Sequence, residues 1–236
     1  MPEGAAKAEM VRAMFDAIAP RYDLVNRIMT LGMDRGWRRR AIGLLRLAPS
    51  ARVLDLACGT GDLARELASH GYHCVGADLS LGMLASARPG SAPLAQADGG
   101  ALPFRSGSLD GVVSGFAVRN FADLPAVLDE CARVLRPGGR LALLDVDTPR
   151  SAVLRAGHRV WFTAVVPRLG AALSDAAAYR YLPKSVAYLP PRDELLEIVT
   201  DAGFVATRHH ALSGGITQVV TATRAGARGL RPAVRS

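Results

Sequence analysis

Residues 51–62 read ARVLDLACGTGD. A short apolar stretch runs into a glycine loop, and DLARELASHG follows with apolar residues at helical spacing and Gly71 placed to cap its end. The same beat recurs downstream. HCVGADLS precedes the helical MLASARPG, PLAQAD is a short strand, LDGVVSGFAV precedes DLPAVLDECARVL, and RLALLDVD closes the series. Strands alternating with helices at this spacing predict an α/β chain, a doubly wound, mostly parallel sheet with helices on both faces.

The flanks differ. Met10, Met14 and Ile18, with Val11 and Phe15, predict an amphipathic helix that Pro20 stops, leaving Tyr22-Asp23 as a break before a second helix over WRRRAIGLLRL. Residues 151–191 interrupt the alternation with an apolar helical face of Val153, Leu154, Val160, Trp161, Val165 and Val166, and Arg155 and Arg159 on another face. ELLEIVTDAGF predicts a helix, and HHALSGGITQVVTATR a closing strand pair with its loop at Ser213-Gly214-Gly215. The expected organisation is one domain over 1–224, with an N-terminal helical segment at 8–48, a cap insertion at about 151–191 and a disordered basic tail at 225–236.

Cys58, Cys74 and Cys131 form neither a CxxC pair nor a zinc-spaced cluster, and His158, His209 and His210 lack metal spacing, so no metal is expected. A reducing cytoplasm fits these thiols. The N-terminus lacks the apolar core of a signal peptide and no uncharged run is long enough to span a bilayer. The net charge of +8 sits partly in the arginines of the tail, and its remainder is compatible with a soluble surface or with anionic lipid; no nucleic-acid partner is expected.

The glycines Gly59 and Gly61 allow a tight turn that presents helix N–H groups to a ligand. A glycine loop alone says little, and the spacing is not GxGxxG. Three acids add to it. Asp55 lies in the first strand, where its charge can orient loop amides and attract a cation. Asp78 ends the second strand, about twenty residues on, where a carboxylate accepts both ribose hydroxyls. Asp98 ends the third, next to Gly99, where it can take an adenine amino group. Helix capping explains one such acid easily and three poorly.

LDLACGTGD, GADLSLGML and ADGGALPF resemble motifs I, II and III of class I S-adenosylmethionine methyltransferases. The resemblance implies a Rossmann-like, mostly parallel seven-stranded sheet and S-adenosylmethionine as cofactor. A positive sulfonium suits Asp55, Asp78 and Asp98 better than a dinucleotide's phosphates would, and Thr60 would lie near the methionine portion. Further segments narrow the likeness. MFDAIAPRYDLVNRIMTLGMDRGWRR, GFAVRNFAD, RVLRPGGRLALLDVDTP, VVPRLGAALS and YRYLPKSVAYLP are similar to the demethylmenaquinone/2-methoxy-benzoquinol C-methyltransferases of quinone biosynthesis, across residues 11–224. The chain departs from that pattern at Ala117 for a glycine, at Gly115 for a serine, at Asp145 for a glutamate, at His158 for a tyrosine and in the final GGITQVVTATR.

The resemblance implies methyl transfer to a ring carbon of a prenylated hydroquinone, demethylmenaquinol becoming menaquinol. Such a carbon is nucleophilic once the neighbouring hydroxyl becomes phenolate-like, so that charge must be stabilised and the ring held in line. Arg119 would pair with the oxyanion, Asn120 would donate to it or orient a water, and Tyr22 would close over the ring. The plainer reading of Arg119 is an ion pair with Asp23 or Asp123. The apolar helix face with arginines beside it at residues 152–170 fits either a lid over the prenyl tail or a peripheral membrane contact, and a homodimer is compatible with this reading. Two other functions fit the same scaffold: a C- or O-methyltransferase of secondary metabolism, which the departures favour, and a non-catalytic cofactor-binding scaffold, which Thr60, Arg119 and Asn120 disfavour.

Overall fold

The computed structural model describes residues 4–88, 92–149, 151, 155 and 185–226. The expected apolar face of the cap, with Val153, Leu154, Val160, Trp161, Val165, Val166, His158 and Arg159, and the basic tail from 227 onward lie outside the described residues.

In chain order the elements are α1 (Gly4–Ile18), a 3-10 turn (Ala19–Arg21), α2 (Tyr22–Met29), α3 (Asp34–Leu45), β1 (Arg52–Leu56), α4 (Asp62–Ser69), β2 (His73–Asp78), α5 (Leu81–Ala85), β3 (Leu94–Gln96), β4 (Leu109–Gly115), a 3-10 turn (Val118–Asn120), α6 (Leu124–Val134), β5 (Leu135–Val146), a 3-10 turn (Val186–Tyr188), α7 (Arg192–Asp201), β6 (Phe204–Leu212), a 3-10 turn (Ser213–Gly215) and β7 (Thr217–Arg224). They build a seven-stranded sheet in the order β3-β2-β1-β4-β5-β7-β6. Pairing is parallel from β3 through β5, and β7 runs antiparallel to both β5 and β6. The sheet is the mostly parallel one expected.

The two-residue period of a strand sorts the core. Leu54 and Leu56 of β1, Val112 of β4, Leu141 and Leu143 of β5 and Val220 and Ala222 of β7 pack with α6 and α7. Val53, Val113, Ala142, Leu144 and Val219 point the other way, onto Trp37, Ala41, Ile42 and Leu45 of α3 and Leu63 and Leu67 of α4. Both faces are covered, which is why the inner strands β1, β4 and β5 read as near-continuous apolar runs. Asp55 falls on the face of Val53, beneath α3 and α4, and Asp145 falls on the face of Leu141 and Leu143.

Two local expectations change. Tyr22-Asp23 is not a break but the first turn of α2. Pro20 sits at the start of the intervening 3-10 turn, where its missing N–H costs nothing, so the helical path bends and resumes. β5 begins at Leu135, earlier than RLALLDVD suggests, because the RPGG segment continues the strand.

Candidate active site

The carboxyl ends of β1 to β5 lie on one edge of the sheet, and a cavity of about 500 Å³ opens there. Ligands of such sheets bind on this edge. Asp55, Gly59, Thr60, Asp78, Asp98 and Gly99 line it together with Tyr22 and Asn120, so eight of the ten candidate residues face one space. Gly61 and Arg119 do not line it.

The loop after β1 is shaped by backbone handedness. Ala57 takes φ 56°, Gly59 φ 56° and Gly61 φ 79°, with Gly61 as the left-handed N-cap of α4. Such values favour glycine, so the two glycines let the chain reverse while its amides turn inward. One is used at once: Gly59 N–H donates to Asp78 Oδ2 at 2.7 Å, and Ser80 N–H to Asp78 Oδ1 at 2.8 Å. Burial raises the Asp78 carboxyl above its ordinary pKa, while the Ser80 and Gly59 amides oppose the rise. Asp78 is no helix cap; Ser80 caps α5 through its side chain.

Asp55 is 1% exposed, and its Oδ2 has no hydrogen-bond partner among the described residues. Burial pushes its pKa up to about 8, against the Arg38 guanidinium and the Ala64 amide. A buried carboxyl oxygen that lacks a partner, in a residue that lines the cavity, calls for a cation or a donor. Arg38, from α3, spans Asp34 at 3.0 Å and Asp62 at 2.8 Å at this end of the cavity. Asp98 is exposed and accepts from Gly100 N–H at 2.9 Å, which turns the chain after β3.

The N-terminal helices close the cavity from above. Asp16 of α1 accepts from Ser80 Oγ at 2.5 Å and from Gly82 N–H at 2.9 Å. Thr60 Oγ donates to Asp23 of α2 at 2.5 Å, which ties the glycine loop to that helix. Lys7 Nζ donates to Phe121 O at 2.7 Å and stands 4.2 Å from the Tyr188 ring centre, so α1 also reaches the far rim. Tyr22 packs edge-on to Phe15 at 5.9 Å. Burial raises its phenol pKa, and the charges of Arg119 and Arg38 pull it back.

Beyond β4, Phe116 takes φ 62° while Ala117 takes φ −116°. The left-handed residue is therefore the phenylalanine, and no glycine is required at 117. The short turn that follows carries Asn120 to the cavity, with its Nδ2 donating to Phe116 O at 3.4 Å. Arg119, 8% exposed, ion-pairs through Nη1 with Asp145 of β5 and donates through Nε to Ser185 at 3.1 Å. The ion-pair partner is thus Asp145, not Asp23 or Asp123. Asp16, Arg38, Ser80 and Ser185 escaped the sequence reading; the signal that could have found Arg38 is its i, i+3 and i, i+4 spacing to Ala41 and Ile42, which sets a charge beside buried apolar positions of the helix.

Comparison with known proteins bears on this edge. The ubiquinone/menaquinone biosynthesis C-methyltransferase UbiE of Syntrophotalea carbinolica is 42% identical over 222 residues, 90% of this chain and 93% of that one. The demethylmenaquinone methyltransferase of Mycolicibacterium vanbaalenii is 41% identical over 216 residues, 91% of this chain and 95% of that one. Among solved structures, Haemonchus contortus phosphoethanolamine N-methyltransferase 2 in complex with S-adenosyl-L-methionine aligns with a TM-score of 0.67 at 15% identity, over 92% of this chain and 60% of that one, which shows a shared fold. Residues 4–224 match a single family description, so the helices that roof the cavity and the strands beneath it are accounted for together: the chain belongs to the ubiE/COQ5 methyltransferase family.

Proposed function

We propose that this chain methylates a ring carbon of a prenylated hydroquinone with S-adenosylmethionine, converting demethylmenaquinol to menaquinol. The observation that carries the reading is the buried Asp55 oxygen without a partner, set beside Asp78 and Asp98 in one cavity, in a chain of this family. The residues fit the cofactor. Asp78, whose oxygens are already fixed by two loop amides, would accept the ribose hydroxyls; Asp98 would take the adenine amino group; Asp55, Thr60 and the loop of Gly59 and Gly61 would hold the methionine end. When bound, the cofactor supplies an electrophilic methyl group.

The chain's own part is to raise the acceptor's nucleophilicity and to keep it dry. Tyr22 and Asn120 face the cavity and would hydrogen-bond the acceptor's hydroxyls. Arg119 acts behind them: its pair with Asp145 fixes the turn that presents Asn120, and its charge reaches Tyr22. Positive potential at this point favours a phenolate-like oxygen in the transition state. A cell unable to methylate its menaquinone precursor tests the reading. Expression should restore the methylated quinone by mass spectrometry, and accumulation of the desmethyl form beside well-expressed protein would reject it.

Asp55 makes two pH effects testable. Its folded pKa of about 8 lies above the unfolded 3.8, so between these values the folded chain keeps a proton that the unfolded chain has lost. Stability without cofactor should therefore fall as pH rises across that interval and level off above it. A sulfonium beside Asp55 favours the ionised form, so S-adenosylmethionine affinity should rise over the same interval and its binding should release a proton. Calorimetry in buffers of different ionisation enthalpy reads that proton, and Asp55→Asn should abolish its release. Equal proton counts in wild type and variant would remove Asp55 from the sulfonium.

The reaction as proposed needs no metal, because the sulfonium is already an activated leaving group. Exhaustive chelation should leave the rate unchanged; a loss that added zinc or magnesium restored would overturn that point.

A further inference from the structure

The outer surface of the N-terminal helices carries side chains that the reaction does not use. Leu24, Leu31 and Met33 are 54%, 67% and 39% exposed, and among the described residues they belong to a short set of large apolar side chains left in solvent. They cluster. Leu24 and Ile28 share one face of α2 at i, i+4 spacing. Leu31 follows in the turn to α3, held by Leu31 N–H to Ile28 O at 3.1 Å and Gly32 N–H to Arg27 O at 2.9 Å. Folding does not require this ridge, because α2 is anchored by other residues: Val25 is buried with Ile18, and Met14, Phe15, Tyr22 and Met29 pack on them.

The exposed charged side chains of residues 21–40 are all arginines, Arg21, Arg27 and Arg35 among them; Arg39, also exposed, is paired with Glu66 at 2.8 Å. The two acids of the same stretch turn inward: Asp34 is 3% exposed and pairs with Arg38, and Asp23 accepts from Thr60. No described helix is long and apolar enough to cross a membrane.

We infer that α2 and the α2–α3 turn are a docking surface for an anionic lipid bilayer, with Leu24, Leu31 and Met33 among the acyl chains and the arginines at the headgroups. Lipid rewards both halves of the pattern, since apolar burial and attraction to anionic headgroups act together at an interface. A nucleic-acid backbone would use the arginines and leave the leucines in water. A second copy would bring like charges face to face. The placement also serves the site. Tyr22 lines the cavity from the first turn of α2, so the helix that would rest on the bilayer also forms the cavity's wall. An acceptor whose prenyl tail stays in lipid could then present its ring beside the helix. That last step rests on the quinol reading; the docking surface does not.

Co-sedimentation with vesicles of equal parts phosphatidylcholine and phosphatidylglycerol tests the inference, with Leu24→Gln/Leu31→Gln and Arg27→Glu/Arg35→Glu as variants. Wild type should bind these vesicles, more weakly as salt rises, and far less to phosphatidylcholine alone. Each double variant should bind about tenfold more weakly or worse, the scale expected for losing two surface contacts. Melting temperature, S-adenosylmethionine affinity and turnover of a short-tailed soluble quinol should stay at wild-type values, while turnover of a long-tailed quinol held in vesicles should drop. The inference is overturned if wild type ignores anionic vesicles, if the leucine variant binds them like wild type, or if binding is lost only together with melting temperature. Displacement of wild type by duplex DNA, with the leucine variant unimpaired, would identify a phosphate-binding surface and also overturn it. Vesicle binding that behaves as expected in a protein that methylates no quinol would leave the surface standing and reject the quinol reading instead.

Discussion

Asp78→Ala is expected to weaken S-adenosylmethionine binding by about 1.5–3 kcal/mol, roughly ten- to a hundredfold, through loss of charge-assisted hydrogen bonds to the ribose. The structure adds a second source of loss. Asp78 also accepts the Gly59 and Ser80 amides, at 2.7 and 2.8 Å, so its removal releases the glycine loop as well. An unmet buried amide costs about 1–3 kcal/mol, although this loop can recover part of that from water. Asp78→Asn separates the contributions. It keeps an acceptor oxygen for one loop amide and most of the shape, but not the charge, so it should lose affinity for the ribose while melting nearer to wild type than the alanine variant. Titration calorimetry and thermal melting on the same preparations read both. A folded Asp78→Ala protein with wild-type affinity would take this carboxylate out of the site.

The contrast between Asp78 and Arg119 shows which relations a sequence exposes. Asp78 is legible because its role depends on local order: a strand ends, an acid stands there, and a helix begins with its own cap, Ser80. The same holds for the sheet. The inner strands β1, β4 and β5 are apolar runs, and burial of both their faces by α3, α4, α6 and α7 is what makes those runs unalternating, whereas the edge strand β6 is mostly unburied and mixed in polarity. Arg119 is different. Its partner Asp145 comes from the neighbouring strand, and the two meet only because β4 and β5 pair in a register that sets Gly115 beside Leu144. The clamp of Asp16 on Ser80 and Gly82 spans α1 and α5 and is equally invisible to periodicity. Tyr22-Asp23 misled for a local reason: a proline reads as a stop, yet a proline in the first turn of a helical segment is compatible with continuing. Asp98 was legible by position, but its exposure and its Asx turn with Gly100 emerge only from the fold.

Arg119→Ala should show two losses at once, and their separation decides what the residue does. The first is stability. Asp145 is 1% exposed, and removing its cation leaves an uncompensated buried carboxylate, a defect that costs about 3–5 kcal/mol. The second is turnover. Withdrawing positive charge from behind Tyr22 and loosening the turn that presents Asn120 should lower kcat by about a hundredfold or more, the scale set by deleting an oxyanion donor. Cofactor affinity should change little, because the carboxylates that would hold the cofactor lie on β1, β2 and after β3. Arg119→Lys should recover only part of either quantity, since an ammonium cannot reproduce a guanidinium that engages Asp145 and Ser185 on separate nitrogens. The discriminating protein is Arg119→Ala with Asp145→Asn. Neutralising Asp145 removes the orphaned charge, so melting temperature should recover most of the way to wild type. Turnover should stay low, because nothing replaces the positive potential at the acceptor. Asp145→Asn alone should retain the charge and lose only the order of the turn, which gives a smaller fall in kcat. Melting temperature, cofactor affinity and single-turnover rate on each preparation complete the comparison. If the double variant recovers stability and turns over at the wild-type rate, Arg119 is a structural cation, and the phenolate is stabilised elsewhere in the cavity.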